Sequence, residues 1–194
     1  SEGTCPSLDA GENRFLSVSN DRRVLIFVPP DRDEAPGLLT IWHSLGSNAD
    51  QFAAAFGARA VATARNVVVA VPDSCCNPAG EWDPTADLGL FDDLLACVDR
   101  QYGLDRRRVY ATGFSAGALW TTALVLDRSE YLASAAIFSG GTSAFLPYRT
   151  PRRPLPLLLV DGGPTDTYGG GAVDFDEMME DLATRAVADG LFVA

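Results

Sequence analysis

The sequence predicts an α/β fold, with a mostly parallel central sheet and helices on both of its faces. Three observations lead to this prediction. Short apolar runs of strand length alternate with segments whose apolar residues recur every three or four positions, as in helices. Such alternation is typical of a parallel sheet whose strands are joined by helices. The composition, 47% hydrophobic and 21% charged over 194 residues, suits one core, so we expect a single domain over residues 1–194.

The strands are expected to begin with an antiparallel pair. Residues 14–18 and 23–28 form this pair, because Ser19, Asn20 and Asp21 between them favour a turn. Apolar runs then predict strands over 38–42, 66–71, 108–112, 132–138, 155–160 and 191–193.

Apolar periodicity predicts four helices, over residues 49–63, 88–102, 116–126 and 173–189. Gly103 is expected to end the second helix and Gly190 the last. The side chains expected to face the core are Phe52, Phe56 and Ala60 in the first helix, Leu88, Phe91, Leu95 and Val98 in the second, and Phe175, Met178, Met179, Leu182 and Ala186 in the last.

The net charge of −11 argues against nucleic acid and anionic membrane surfaces as partners, because both would repel the chain. It slightly favours neutral substrates over anionic polymers. No apolar run approaches the roughly 20 residues that are needed to cross a bilayer.

The chain has four cysteines: Cys5, Cys75, Cys76 and Cys97. They are compatible with two disulfides of undetermined pairing. Two adjacent cysteines in the long polar loop 73–87 favour disulfides over buried thiols, and therefore a secreted or extracytoplasmic location. We expect no metal, because the sequence has no CxxC pair and its single histidine, His43, is distant from the cysteines.

The strongest functional signal is Gly113-Phe114-Ser115-Ala116-Gly117, which fits G-x-S-x-G. In this nucleophile elbow, a serine lies at a sharp turn between a strand and a helix, and its neighbours must be small so that the two elements approach closely. A predicted strand precedes the motif and a predicted helix follows it. Ser115 is therefore the expected nucleophile; the alternative is a glycine-rich turn with a serine helix cap.

Backbone N–H groups near this turn are expected to bind the oxyanion. The Ala116 N–H is the first donor, and the loop after strand 38–42 should supply a second one, from either Ser44 or Leu45.

An acid is expected after a later strand. Strand 155–160 is followed by two candidates, Asp161 at the strand end and Asp166 in the loop. We favour Asp166, because this acid usually lies in the loop. The alternative for either residue is a turn aspartate that binds its own backbone.

The histidine of such a triad should follow the acid, but no histidine follows Asp166. His43 precedes Ser115 and is expected to support, through hydrogen bonds, the loop 43–47 after strand 38–42, the predicted oxyanion loop. We therefore expect the catalytic histidine in a C-terminal segment that this chain lacks, or on a second polypeptide.

With these motifs the sequence resembles the secreted polyhydroxybutyrate depolymerase and feruloyl esterase group of α/β-hydrolases. The most specific stretch is 102–117, and further matches lie in 24–29, 39–46, 70–73 and 87–91, together with Trp82. The resemblance implies an α/β-hydrolase fold and cofactor-free hydrolysis of plant cell-wall esters, such as hydroxycinnamoyl esters, or of polyesters such as polyhydroxyalkanoate. The resemblance implies that Asp166 is the counterpart of the family's catalytic acid. The family usually has His-Gly where this chain has His43-Ser44, and its C-terminal histidine has no counterpart here.

These features together predict a secreted serine carboxylesterase that acts through an acyl-enzyme on a small or polymeric ester. Trp82 and Tyr168 flank the site in sequence and are candidates for substrate contact, whereas Trp120 is expected in the core. The alternatives are a catalytically inactive binding protein on the same fold, which the missing histidine favours, and a serine peptidase or acyltransferase with the same triad.

Overall fold

The computed structural model describes residues 5–30, 34–74, 81–83 and 86–194 of the chain. Seven strands form its main sheet: β1 Gly11–Ser17, β2 Asn20–Phe27, β3 Gly37–Trp42, β4 Val67–Pro72, β5 Val109–Phe114, β6 Ser134–Phe138 and β7 Leu157–Val160. Their order across the sheet is β1-β2-β4-β3-β5-β6-β7. β1 and β2 pair antiparallel, β2 pairs antiparallel with β4, and β4, β3, β5, β6 and β7 run parallel to one another.

Two further strands form a separate antiparallel ribbon, β8 Thr167–Tyr168 and β9 Val173–Asp174. The helices are α1 Ala49–Ala55, α2 Ala58–Arg65, α3 Ala86–Tyr102, α4 Ala116–Arg128 and α5 Phe175–Ala188. Residues of α1 and α2 pack on one face of the sheet, and residues of α3, α4 and α5 pack on the other. The predicted mostly parallel sheet with helices on both faces is thus confirmed.

Burial explains why the central strands read as apolar runs. Every residue of β4 is buried, and all of β3 except Leu39 is buried as well. A strand that is covered on both faces cannot alternate between apolar and polar residues, because each side chain meets a packed layer. The carboxyl ends of these parallel strands lie at one edge of the sheet, where the loops that carry the candidate site residues emerge.

The first predicted helix is wrong in its length. Residues 49–63 were expected to form one helix, but the chain forms α1 and α2, which are separated by Gly57 with a φ of +58°. This left-handed backbone suits glycine and interrupts the helical hydrogen bonds. Phe52 is buried as predicted, whereas Ala60 is exposed on the redirected helix.

The last predicted helix begins later than expected. Val173 and Asp174 belong to β9, and the Asp174 side chain caps α5 by accepting a hydrogen bond from the Glu177 N–H. All five side chains expected to face the core from this helix are buried. The predicted strand 191–193 is reduced to a single parallel bridge between Val193 and Leu157.

The first turn also differs by one residue. It was expected over Ser19, Asn20 and Asp21, but the left-handed residues are Val18 and Ser19, and β2 already begins at Asn20. Two left-handed residues are typical of a tight hairpin between antiparallel strands.

A disulfide links Cys5 to Cys97 and ties the N-terminal segment to α3. The Tyr102 hydroxyl strengthens this attachment by donating to the Leu8 carbonyl at 2.6 Å. One of the two predicted disulfides is therefore present, while Cys75 and Cys76 lie outside the described residues. Among the described residues, no helix combines the length and the apolar character that a membrane crossing needs.

Replacing Cys5 and Cys97 together by alanine should lower the free energy of unfolding by about 2–5 kcal/mol, because the bond closes a loop across 92 residues of sequence. Urea unfolding of both proteins measures this loss. Non-reducing peptide mapping of the wild type is the control, and it should show the Cys5 and Cys97 peptides joined. Equal stability of the two proteins would contradict the structural role of the bond.

Candidate active site

The candidate nucleophile Ser115 lies at the turn between β5 and α4. Its backbone has a φ of +53° and a ψ of −119°, a conformation that costs a residue with a side chain about 1–3 kcal/mol. The Ser115 side chain makes no capping hydrogen bond to α4. The hydroxyl is therefore not used as a helix cap, which was the alternative interpretation of this residue.

Two glycines of the motif are required by close contacts. A Cβ atom at Gly113 would lie 2.2 Å from the Gly117 carbonyl oxygen, and one at Gly117 would lie 2.0 Å from the Trp42 carbonyl oxygen. No side chain fits at such distances. The G-x-S-x-G spacing thus reflects the approach of α4 to both β5 and the end of β3.

The predicted oxyanion donors lie on either side of this contact. Ala116 is the first residue of α4, where backbone N–H groups have no helical partner and the helix dipole favours negative charge. Ser44 and Leu45 follow β3, which pairs with β5 and brings Trp42 opposite Gly113. Ser44, Leu45, Ser115 and Ala116 all line one cavity.

His43 holds the loop after β3 through hydrogen bonds from its ring. Its ring is buried, Nε2 accepts a hydrogen bond from the Ser74 N–H at 2.9 Å, and Nδ1 lies 2.9 Å from the Ser44 carbonyl oxygen. A ring that accepts at Nε2 must carry its proton at Nδ1, so the imidazole is neutral and donates to Ser44. Burial lowers the pKa of His43 below its usual 6.5. Both ring nitrogens are occupied by backbone groups, and the imidazole is not available to Ser115 as a base.

A polar network fixes the strand end next to His43. Arg23 on β2 pairs with Asp73 at 2.7 Å, and Asp73 also accepts a hydrogen bond from the Ala49 N–H at the start of α1. This contact with Asp73 is the main reason why the pKa of Arg23 is raised. On the other side, the Trp82 indole N–H donates to the His43 carbonyl at 2.8 Å. The network holds β2, β4, α1 and the oxyanion loop in one arrangement.

The two candidate acids have different surroundings. Asp166 is partly buried, and its Oδ2 accepts hydrogen bonds from the Ser139 hydroxyl at 2.7 Å and from the Gly162 N–H at 2.9 Å. Asp161 is exposed, and its carboxylate accepts a hydrogen bond from the Gly163 N–H two residues away. Asp161 thus behaves as a turn residue, and these contacts favour Asp166 as the acid.

A cavity of about 680 Å³ opens at Ser115. Its wall is mostly apolar and aromatic: Leu45, Trp82, Phe114, Leu119, Trp120, Ala123, Phe145, Leu146, Tyr168, Val173 and Phe175. Trp82 and Tyr168, the candidates for substrate contact, both lie in this wall. Trp120 also borders the cavity but is 2% exposed and belongs to the core, as its place inside a helix predicts.

A second cavity, of about 710 Å³, adjoins the first. It is lined by Asp166 together with Ser44, Phe52, Ala55, Phe56, Phe114, Phe138, Ser139, Val160, Asp161 and Gly162. Ser44 and Phe114 border both cavities. The structure therefore brings Ser115, Ala116, Ser44, Leu45, Trp82 and Tyr168 to one cavity and Asp166 to its neighbour.

Ser139 contacts the candidate acid but was not among the residues predicted from the sequence. It directly follows β6, the strand that lies between the Ser115 strand and the strand before Asp166. A polar residue at the carboxyl end of a parallel strand could have indicated a role for Ser139. Its place between Ser115 and Asp166, however, follows only from the order of the strands in the sheet. In the described part of the chain, no cluster of three histidine, cysteine, aspartate or glutamate residues is placed to hold a metal ion.

Comparison with known proteins identifies esterases as relatives. The chain is 24% identical over 156 residues to feruloyl esterase D of Neurospora crassa, a match that covers 71% of this chain and 52% of that protein. It is 24% identical over 164 residues to an acetylxylan esterase of Coprinopsis cinerea, covering 77% of this chain and 44% of that protein. The chain thus spans about half the length of these relatives. No protein-family profile matches the sequence.

Solved structures with the same fold include a protein named sOPH, with a TM-score of 0.79 and 17% identity, covering 95% of this chain and 79% of that one. A thermostable esterase matches with a TM-score of 0.68 and 17% identity, covering 94% of this chain and 53% of that one. These structures share the α/β-hydrolase fold. The predicted resemblance to the feruloyl esterase and polyhydroxybutyrate depolymerase group is confirmed by relatives that are named carboxylic ester hydrolases.

The neutral, buried state of His43 predicts a pH-dependent contribution to stability. The pKa of the ring is lower in the folded protein than the 6.5 of an exposed histidine, so protonation favours the unfolded chain. The contribution is complete above about pH 6.5 and is lost as the pH falls towards the lower folded pKa.

Urea unfolding of the wild type and of His43→Gln between about pH 8 and pH 5 measures this effect. The variant lacks the titrating ring but keeps a polar side chain of similar reach. The wild type should lose its stability advantage over the variant as the pH falls. A difference in unfolding free energy that stays constant over this range would show that the ring is not held neutral.

Proposed function

We propose that this chain carries the nucleophile, the oxyanion donors and the acid of a serine carboxylesterase. The observation that supports this most strongly is the geometry of Ser115. Ser115 has a strained backbone, its hydroxyl does not cap the helix, and it lies in the wall of an apolar cavity. These features suit a nucleophile that attacks a bound ester.

In the proposed reaction, the Ser115 Oγ attacks the ester carbonyl carbon while a histidine takes the hydroxyl proton. The N–H groups of Ala116 and of Ser44 or Leu45 bind the oxygen that becomes negatively charged. The intermediate collapses, the alcohol leaves with the proton from the histidine, and the acyl group stays on Ser115. Water, deprotonated by the same histidine, then attacks the acyl-enzyme and releases the acid.

We propose that a segment outside these 194 residues supplies the histidine. His43 cannot serve, since both of its ring nitrogens are bound to the backbone. The second cavity offers a place for an imidazole, because Asp166 lines it and because it adjoins the Ser115 cavity at Ser44 and Phe114. An imidazole there could donate to the Asp166 carboxylate and accept the proton of Ser115.

The proposed substrate is a neutral ester with a bulky apolar acyl group, such as a hydroxycinnamoyl ester of the plant cell wall. A cavity of about 680 Å³ with aromatic walls is larger than an acetyl group needs. The net charge of −11 disfavours anionic esters. The name of the feruloyl esterase relative supports the same class of acyl group.

The proposed location is extracellular. The disulfide between Cys5 and Cys97 supports an oxidising compartment, since such bonds persist mainly in secreted proteins.

Ser115→Ala should abolish ester hydrolysis and leave the fold intact, because the hydroxyl is the only group removed. In the full-length protein we expect kcat for a feruloyl ester to fall by at least about a thousandfold, with an unchanged circular dichroism spectrum. The matched control is Ser47→Ala, an exchange in the oxyanion loop of a hydroxyl that donates to the Gln51 side chain. Activity of Ser115→Ala equal to the wild type would refute the proposed function.

The choice between the two acids is tested by a matched pair of variants. Asp166→Asn should lower kcat by about 10³ to 10⁴, because the histidine loses the negative charge that stabilises its protonated form. Asp161→Asn should leave kcat within about threefold of the wild type, since that carboxylate is exposed and accepts a hydrogen bond from the Gly163 N–H of its own turn. The opposite ranking in steady-state kinetics would assign the acid to Asp161.

A further inference from the structure

The contact between Ser139 and Asp166 carries a further inference, which rests on the proposed function. Ser139 is 6% exposed, and its hydroxyl donates a hydrogen bond to the Asp166 Oδ2 at 2.7 Å. The Gly162 N–H donates to the same oxygen at 2.9 Å. Two donors on one oxygen fix the orientation of the carboxylate plane as well as its position.

The backbone of Ser139 is unfavourable for a residue with a side chain. Its φ is +56°, in the left-handed region that glycine adopts freely. The Ser139 N–H donates to the Val160 carbonyl at 2.8 Å, and this bond holds the residue against the end of β7. Such strain persists where the surroundings enforce it, and it is common at functional sites. The hydroxyl provides a reason for a serine where glycine would be relaxed.

Sheet pairing connects this contact to the nucleophile. Ser115 donates its N–H to the Phe138 carbonyl at 3.0 Å, and Phe138 lies opposite Val160 in the β6–β7 register. The residues that follow three adjacent strands therefore lie side by side along one edge of the sheet: Ser115 after β5, Ser139 after β6, and the Asp166 loop after β7. A rigid sheet edge of this kind can maintain the separation between nucleophile and acid.

We propose that Ser139 is a positioning residue, which holds the Asp166 carboxylate through Oδ2 so that Oδ1 is directed to the incoming histidine. Ser139 lies in the wall of the second cavity, and its hydroxyl contacts the acid. Its effect acts through the acid, because an Asp166 side chain free to change its χ1 rotamer would place its carboxylate correctly for only part of the time.

The test uses the full-length protein and two matched variants at left-handed serines. Ser139→Gly removes the hydroxyl and relieves the backbone, while Ser19→Gly makes the same exchange in the exposed turn between β1 and β2, where φ is +64°. We expect Ser139→Gly to lower kcat for a feruloyl ester by about tenfold to a hundredfold, the effect of losing a hydrogen bond to a charged group. KM and the urea unfolding midpoint should stay near the wild-type values, and Ser19→Gly should change none of these quantities.

A second readout follows the acid without relying on activity. Side-chain coupling constants of Asp166, measured by NMR, should indicate a single χ1 rotamer in the wild type and in Ser19→Gly, and rotamer averaging in Ser139→Gly. If Ser139→Gly does not fold, Ser139→Ala, which keeps the Cβ atom, takes its place with the same expectations.

The outcomes separate this proposal from the proposed function. If Ser115→Ala is inactive while Ser139→Gly keeps the wild-type kcat, the esterase assignment stands and the positioning role is wrong. A single Asp166 rotamer in the Ser139 variant would also overturn that role. If Ser115→Ala is as active as the wild type, the proposed function fails and the role of Ser139 in it fails as well.

Discussion

The close approach between the first turn of α4 and the end of β3 is the constraint on which the rest of the site depends. There is no room for a Cβ atom between Gly117 and the Trp42 carbonyl, so the helix is seated directly on the oxyanion loop. The turn that leads into this helix must be sharp, and Ser115 adopts a strained backbone as a result. One packing contact therefore fixes Ser115, the start of α4 and the loop after β3 relative to one another.

Hydrogen bonds from buried or partly buried groups preserve this arrangement. His43 holds the oxyanion loop by binding the backbone through both ring nitrogens, and Ser139 holds the candidate acid. Each group is at least partly buried, so water does not fully replace a contact that is lost. The site is thus organised before a substrate enters, which suits a reaction that depends on oriented dipoles. A histidine in this fold need not be a base, and here its hydrogen bonds assign it to the scaffold.

The sequence allowed the parallel sheet and the strand–turn–helix setting of Ser115 to be predicted, because both depend on local patterns: apolar runs of strand length and a motif of five consecutive residues. The break at Gly57 was missed because the apolar stripe continues through it, and only the left-handed backbone redirects the second helix. The contact of Ser139 with Asp166 was not predictable from periodicity, since it joins residues 27 positions apart through the order of the strands. The pairing of Cys5 with Cys97 likewise required the three-dimensional structure.

Covalent labelling tests most directly whether Ser115 is an activated nucleophile. The full-length protein would be treated with a fluorophosphonate, which reacts with a serine hydroxyl only where a base and an oxyanion site activate it. The modified residue would then be identified by peptide mass spectrometry. We expect one adduct per molecule, located on Ser115. No adduct, or an adduct on a different residue, would contradict the assignment of Ser115 as the nucleophile.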